Sequence, residues 1–207
     1  MAVPDLERIA ELYLKAIERV TAGDEEWEAN YEWIKLELYD QVVREYSGGE
    51  MAAYLSQESI PNQGFVLGRI GVEEQRIIKR AEQSRNAAPA EPARAPVWKR
   101  LIYRLRQILN GPHAFREWTI QRALGSEYEL LKLGRFRRGG EVHLWMYDRY
   151  SLSRLLLDAG FASPKRVDAA ESNIPDWASY HLDTEPDGSI YKPGSLYMEA
   201  TKYVARG

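Results

Sequence analysis

His143, Trp145, Tyr147, Asp148, Arg149 and Tyr150 fall in one stretch of eight residues. Together they offer an imidazole able to take a proton from a nucleophilic oxygen or nitrogen. They also offer aromatic faces and a guanidinium suited to an anionic or sugar-like ligand. Chain neighbours alternate faces, so the six cannot all point one way; packing plus an Asp148–Arg149 network at a helix start would use the same residues. A second polar group, Tyr39, Asp40 and Arg44, leads into Ser47-Gly48-Gly49-Glu50. Asp40 and Arg44 are four apart, the spacing of a surface ion pair on a helix, and the alternative is a helical lid over a ligand site. A third group, Ser172, Asn173, Asp176, Trp177, His181 and Asp183, lies on a long turn-rich segment of the kind that often carries binding residues. Trp177 and His181 join the candidate ligand contacts. His143 and His181 form no i,i+4 pair and the chain has no cysteine, so no metal site is expected.

The elements that must position these groups are mostly helical. Asp5 after Pro4 can cap a helix over 5–20, with Leu6, Ile9, Leu12, Leu14, Ile17 and Val20 as its apolar stripe. Gly23 stops it. A second helix from Asp24 or Glu25 to about Tyr46 would share Trp27, Tyr31, Ile34, Leu38 and Val42 (or Gln41) on one face. Shorter helices are expected over 51–57 and 64–83, the latter weakened by Gly68 and Gly71. Residues 84–97, rich in Ala and Pro, read as a linker. A basic amphipathic helix over 98–109 and a further helix over 113–133 follow. Ser151 stands where a cap would open a short helix closed by Gly160. Residues 165–171 and 196–204 are the best strands, separated by turn formers at 186–188 and 192–194.

The charge is uneven. Residues 1–60 hold about nine more acids than bases, while 94–138 has a basic excess of about eight. Two solvated helical faces explain this, and so would a surface that attracts a polyanion. The 98–109 helix could lie on an anionic membrane; a pI of about 5.8 argues against dedicated nucleic-acid binding. No apolar run reaches bilayer length and no basic-then-apolar leader opens the chain, so a cytoplasmic location is expected.

Three stretches resemble a known family. VPDLERIAELYLKAIERVTAGDEEW (3–27) is similar to the run after the fifth strand of type 11-like class I S-adenosylmethionine-dependent methyltransferases. WIKLELYDQVVREYSGGEMAAYL (33–55) resembles a helical insert in a bacterial branch of that family. GEVHLWMYDRYSLSRLLLDAGF (140–161), continuing to IPDWASYHLDTEPDGSIYKPGSLYMEATK (174–202), resembles its final helix, sixth strand, loop and seventh strand. The resemblance implies an α+β chain, mostly helical, with a small C-terminal β-hairpin or sheet remnant of a class I methyltransferase fold. Residues 1–83 would be the helical insert after the fifth-strand position, 84–97 the linker, and 98–207 the basic helix, aromatic segment and helix-strand-loop-strand unit. The 143–150 cluster would then lie near the mouth of the donor pocket, with His143 as base and the others contacting a small, sugar-like or lipid-linked acceptor.

The family's glycine-rich turn and ribose-binding acid would lie upstream of Val3. GFVLGRIG (64–71) follows Pro61-Asn62 and RRGGE (137–141) precedes an aromatic segment, so both read as loop or packing features. S-adenosylmethionine, implied by the resemblance, is therefore not expected to bind this chain alone, and catalysis would need the missing half. The parent fold sets its seventh strand antiparallel between the fifth and sixth. With only a stub of the fifth present, residues 196–204 are expected to expose an edge, which a homodimer or a partner supplying the missing sheet would cover. A non-enzymatic accessory module descended from that fold, or a membrane-surface protein using residues 98–109, are the alternative readings.

Overall fold

The computed structural model describes residues 1–86 and 111–202. The 98–109 helix, most of the 84–97 linker and the last two residues of the expected 196–204 strand lie outside the described residues. In chain order the elements are β1 (Ala2–Pro4), α1 (Leu6–Thr21), a 3-10 turn (Glu25–Trp27), α2 (Glu28–Val43), α3 (Gly49–Leu55), α4 (Gln63–Leu67) and α5 (Val72–Asn86). After the undescribed segment come α6 (Gly111–Leu124), α7 (Glu127–Arg137), α8 (Arg149–Asp158), β2 (Phe161–Arg166), a 3-10 turn (Trp177–Tyr180) and β3 (Ser195–Lys202). The fold is mixed helix and strand, as α+β requires.

Asp5 caps α1 by accepting from the Arg8 backbone N–H at 3.2 Å. The helix buries Ile9 and Ala16, with Leu6, Leu12 and Tyr13 beside them. Leu14, in the expected stripe, is 65% exposed, and Ile17 is exposed too. At 100° per residue Leu14 lies about 140° around the helix from Ile9, beyond the width of one buried face. On α2 the buried residues are Trp33, Ile34, Glu37 and Asp40, of which only Ile34 belongs to the expected face. Two of the four are acids, while Leu36, Leu38 and Val42 pack beside them against the same core.

Glycines interrupt what the sequence reads as continuous helix. The 64–83 span breaks between Gly68 and Gly71, turning Arg69 and Ile70 into the interior. Gly71 lies so close to the Tyr191 carbonyl that any side chain would collide with it, and the Val72 N–H bonds that same carbonyl at 3.3 Å. The 113–133 span divides at Gly125-Ser126. Asp148, not Ser151, caps α8: its carboxylate accepts from the Tyr150 and Ser151 N–H groups at 2.8 Å, and Ser151 reaches back to complete a capping box.

The sheet has the order β1-β3-β2, with β3 antiparallel to both neighbours. Val3 pairs with Leu196 and Arg166 with Met198. β1 flanks β3 along Ser195–Tyr197 and β2 along Met198–Lys202, on opposite sides, where a single neighbour was expected. β2 starts at Phe161, four residues before the expected strand. An irregularity between Ala162 and Lys165 takes up Pro164, which has no N–H to give to a ladder. One core gathers Ile9, Trp33, Ile34, Leu55, Val66 and Ile70 between the first five helices. A smaller one packs Leu152 and Leu156 of α8 on Leu196 and Met198 of β3. The segments before and after residues 87–110 share backbone bonds, Leu6 N–H to Tyr147 O at 3.1 Å and His143 N–H to Gln41 O at 3.0 Å.

Inside the larger core, Glu37 and Arg69 are 6% and 9% exposed and form a two-bond ion pair, with the Trp33 indole donating to the same carboxylate. Glu37→Leu is expected to lower stability by about 3–5 kcal/mol, because it leaves the Arg69 charge alone in a low-dielectric interior. Glu37→Leu combined with Arg69→Met should regain most of that loss. Urea unfolding of the wild type and both variants, followed by far-UV circular dichroism, checks the pair.

Candidate functional site

A cavity of about 380 Å³ opens between the helical layer and the first residues of β1 and β3. Trp33, Glu37, Gln41 and Arg44 supply one wall, spaced four, four and three residues apart so that a single face of α2 carries all of them. Met51 and Leu55 of α3 and the Arg69–Gly71 turn form further walls. Ala2–Pro4 and Ser195 close the sheet side, and Glu141, His143 and Lys192 also border the space. The cavity is thus bordered by every residue of β1 and by the first residue of β3.

Most charges around it are matched. Glu37 is held by Arg69, whose Nε donates to Oε1 at 2.6 Å. Arg44 pairs with Asp40 at 2.6 Å and approaches Glu141 at 3.5 Å. The Asp40–Arg44 pair, expected on the surface, has its carboxylate buried, and that carboxylate also accepts the Glu50 N–H at 2.7 Å to start α3. Gly49 has φ +56, and a side chain there would run into the Asp40 carboxylate. Glu141 accepts the Gly48 N–H at 2.7 Å, which leads the causes holding its pKa below the usual carboxylate value. Glu74 accepts the Gly71 N–H at 3.1 Å.

Three polar side chains bordering the cavity lack such partners. Among the described residues nothing hydrogen-bonds the Gln41 carboxamide or the His143 ring, and Lys192 makes no ion pair, its ammonium lying 5.8 Å from the centre of the Tyr191 ring. Desolvation against the surrounding atoms, then the Arg44 and Lys192 cations, push the His143 pKa below 6.5. At neutral pH the ring is therefore uncharged and can accept a proton.

Of the residues singled out in the sequence, His143 borders this space, and so do Arg44 and Gly48 of the second polar group. Trp145 and Tyr150 point to solvent, 67% and 69% exposed. Tyr147 packs against the α8–β3 core, Asp148 caps α8, and Arg149 pairs with Glu7 at 3.1 Å. The Trp177 indole donates to the Ala169 carbonyl at 3.0 Å and lines a shallow groove formed by residues 165–179. His181, exposed with φ 47, borders neither space. Sequence reasoning missed Trp33, Glu37, Gln41, Arg69 and Lys192. The available signal was the Trp33-Glu37-Gln41-Arg44 line, a polar stripe on a helix that also had to face a core.

Among the described residues no cluster of three His, Asp or Glu could hold a metal. Nor does a glycine-rich turn follow a described strand: β1 runs through Asp5 into α1, and β2 continues into Val167. Gly71 is packed on Tyr191, and a side chain at Gly139 would meet the Phe136 carbonyl at 3.1 Å. The described residues do not fit an adenosyl donor.

Titrating His143 by NMR should give a midpoint below 6.5, and Lys192→Gln should raise it by removing one of the two cations. Folding favours the neutral ring, so between the folded and unfolded pKa values the unfolded chain binds more protons. His143's contribution to stability is therefore complete above its unfolded pKa and declines as pH falls through it. Asp148→Ala, by contrast, should cost about 1 kcal/mol of stability through the lost cap and leave the His143 midpoint unchanged. Comparison with known proteins found no matching family model, no matching curated protein and no matching solved structure.

Proposed function

We propose that the cavity is the acceptor site of a methyl-transfer reaction and that this chain is the substrate-side portion of an S-adenosylmethionine-dependent methyltransferase. The observation that carries the reading is the position of the cavity. It lies between β1 and the helices α1, α2, α3 and α5, beside a sheet whose last strand inserts antiparallel between the first and the second. That order is the one the family resemblance implies for the fifth, seventh and sixth strands. In such chemistry the protein mainly orients the acceptor, and a neutral imidazole removes its proton. His143 is the group placed to do so. Gln41, joined to His143 through a backbone hydrogen bond, supplies an amide to orient the acceptor.

The donor has to be held by residues other than those described, since they offer no cradle for it. That same lack supports a second reading, a binding module that kept the acceptor pocket without turnover. The two differ in what His143→Gln does. It abolishes transfer in the first, when a donor-binding partner is present, and changes only affinity in the second.

The purified chain should give no heat with S-adenosylmethionine in calorimetry. Amide spectra recorded with millimolar hydroxylated and acidic small molecules should shift at Gln41, His143 and Ser195. Heat with the donor alone, or shifts confined to the 165–179 groove, would overturn the assignment.

A further inference from the structure

Helices α6 and α7 form a hairpin that joins neither core. Among the described residues no side chain of either helix is buried. Glu117 of α6 ties the two together, accepting from the Tyr128 hydroxyl at 3.0 Å and the Arg135 guanidinium at 2.8 Å. Phe115 and Trp118 stand on another side of α6, stacked with ring centres 6.0 Å apart and 68% and 57% exposed. At 100° per residue Arg122 lies within about 40° of both, and Glu117 about 100° or more from each of these three. Arg116 borders the same side, and neither arginine makes an ion pair among the described residues. Helices this short draw most of their stability from packing an apolar face, so the stacked rings call for a cover, and the two arginines favour one that is acidic.

The outer side of α1 meets both requirements. Leu14 and Ile17 are 65% and 40% exposed there. Glu11 and Glu18 lie within about 60° of Leu14 around the helix, and both are exposed without an ion pair among the described residues. The helix's own bases are engaged elsewhere: Lys15 and Arg19 lie over the Trp27 ring at 5.1 and 6.0 Å, and Arg8 donates to the Pro193 carbonyl. The two faces thus match, each an i,i+3 apolar pair flanked by two charges, basic on α6 and acidic on α1. Both stand open in one molecule, so neither covers the other within the chain. We infer that the α6 face of one copy docks on the α1 face of a second copy, Phe115 and Trp118 against Leu14 and Ile17, with Arg116 and Arg122 toward Glu11 and Glu18. Such a contact joins unlike faces, so a closed assembly makes it once per copy.

The test is self-association of the whole chain, measured by sedimentation equilibrium over a series of concentrations. Association should grow with concentration and weaken as salt rises from about 0.1 M to 1 M, since the screening length falls from about 10 to 3 Å. Trp118→Ala, Arg116→Glu with Arg122→Glu, and Glu11→Lys with Glu18→Lys should each weaken it about tenfold, with the far-UV circular dichroism unchanged. Mixing the two charge-reversed chains should restore it, because each then meets the opposite charge on the other. A chain that stays monomeric throughout overturns the inference, and so do reversed chains that associate as the wild type does or fail to associate on mixing. Binding of the monomer to phosphatidylglycerol vesicles, lost in Arg116→Glu with Arg122→Glu, overturns it too and gives the α6 face to an anionic membrane.

Discussion

A carboxylate and a guanidinium buried between α2 and the α4–α5 turn set the terms for the rest of this molecule. Glu37 would be a costly lone charge in that core without Arg69, which reaches it from the turn between α4 and α5. The break between Gly68 and Gly71 is what turns Arg69 inward, and the break in turn needs Gly71 to fit against the Tyr191 carbonyl. The 191–195 segment is thereby drawn to the helical layer, bringing Lys192 and Ser195 to the space that Gln41 and His143 border. An apolar substitute for the pair could pack as well, but it would not hold a polar stripe of α2 toward an open space. The geometry of the cavity follows from satisfying two charges away from water.

Much of the helical framework was legible in the sequence because caps and stops act locally. Asp5 before an apolar run and Gly23 after it bound α1 to within a residue or so. Faces were harder to read. A stripe search rewards apolar side chains wherever they fall, so Leu14 and Ile17 were counted inward, although Ala16 takes the buried position. On α2 the same search passed over Glu37 and Asp40, since a buried acid is recognisable only once its distant partners, Arg69 or the Glu50 amide, are in place. Asp148 and Ser151 show a third limit. Both are good capping residues, and only the backbone decides which stands outside the first turn.

The candidate site was less legible than the fold. The aromatic stretch 143–150 looks like one group, yet its members divide between the cavity, the α8 cap, a core and open solvent. A cluster in sequence is a cluster in space only where the chain is regular or tightly turned, and here most of it lies in the irregular stretch between α7 and α8. The cavity instead collects residues from positions 2 to 195. The strand order β1-β3-β2 likewise joins segments from the two ends of the chain.

Asp5 carries a consequence for the order of assembly. Its side chain caps α1 and bonds Arg166 at 3.2 Å, its N–H bonds Gly194 O at 3.2 Å, and the residue bridges to Tyr147. These partners are separated from it by most of the chain, and β1 as a whole pairs with residues 195–197. Contacts of such high contact order close large loops before they return any stabilisation, so they form late. The helices of residues 6–86 contact mainly their near neighbours and have no such delay. On this topology the helical layer assembles first, and the docking of residues 2–5 between that layer and β3 completes both the sheet and the sheet-side wall of the cavity. A ligand site finished by the last step of folding is one that partly folded chains cannot offer.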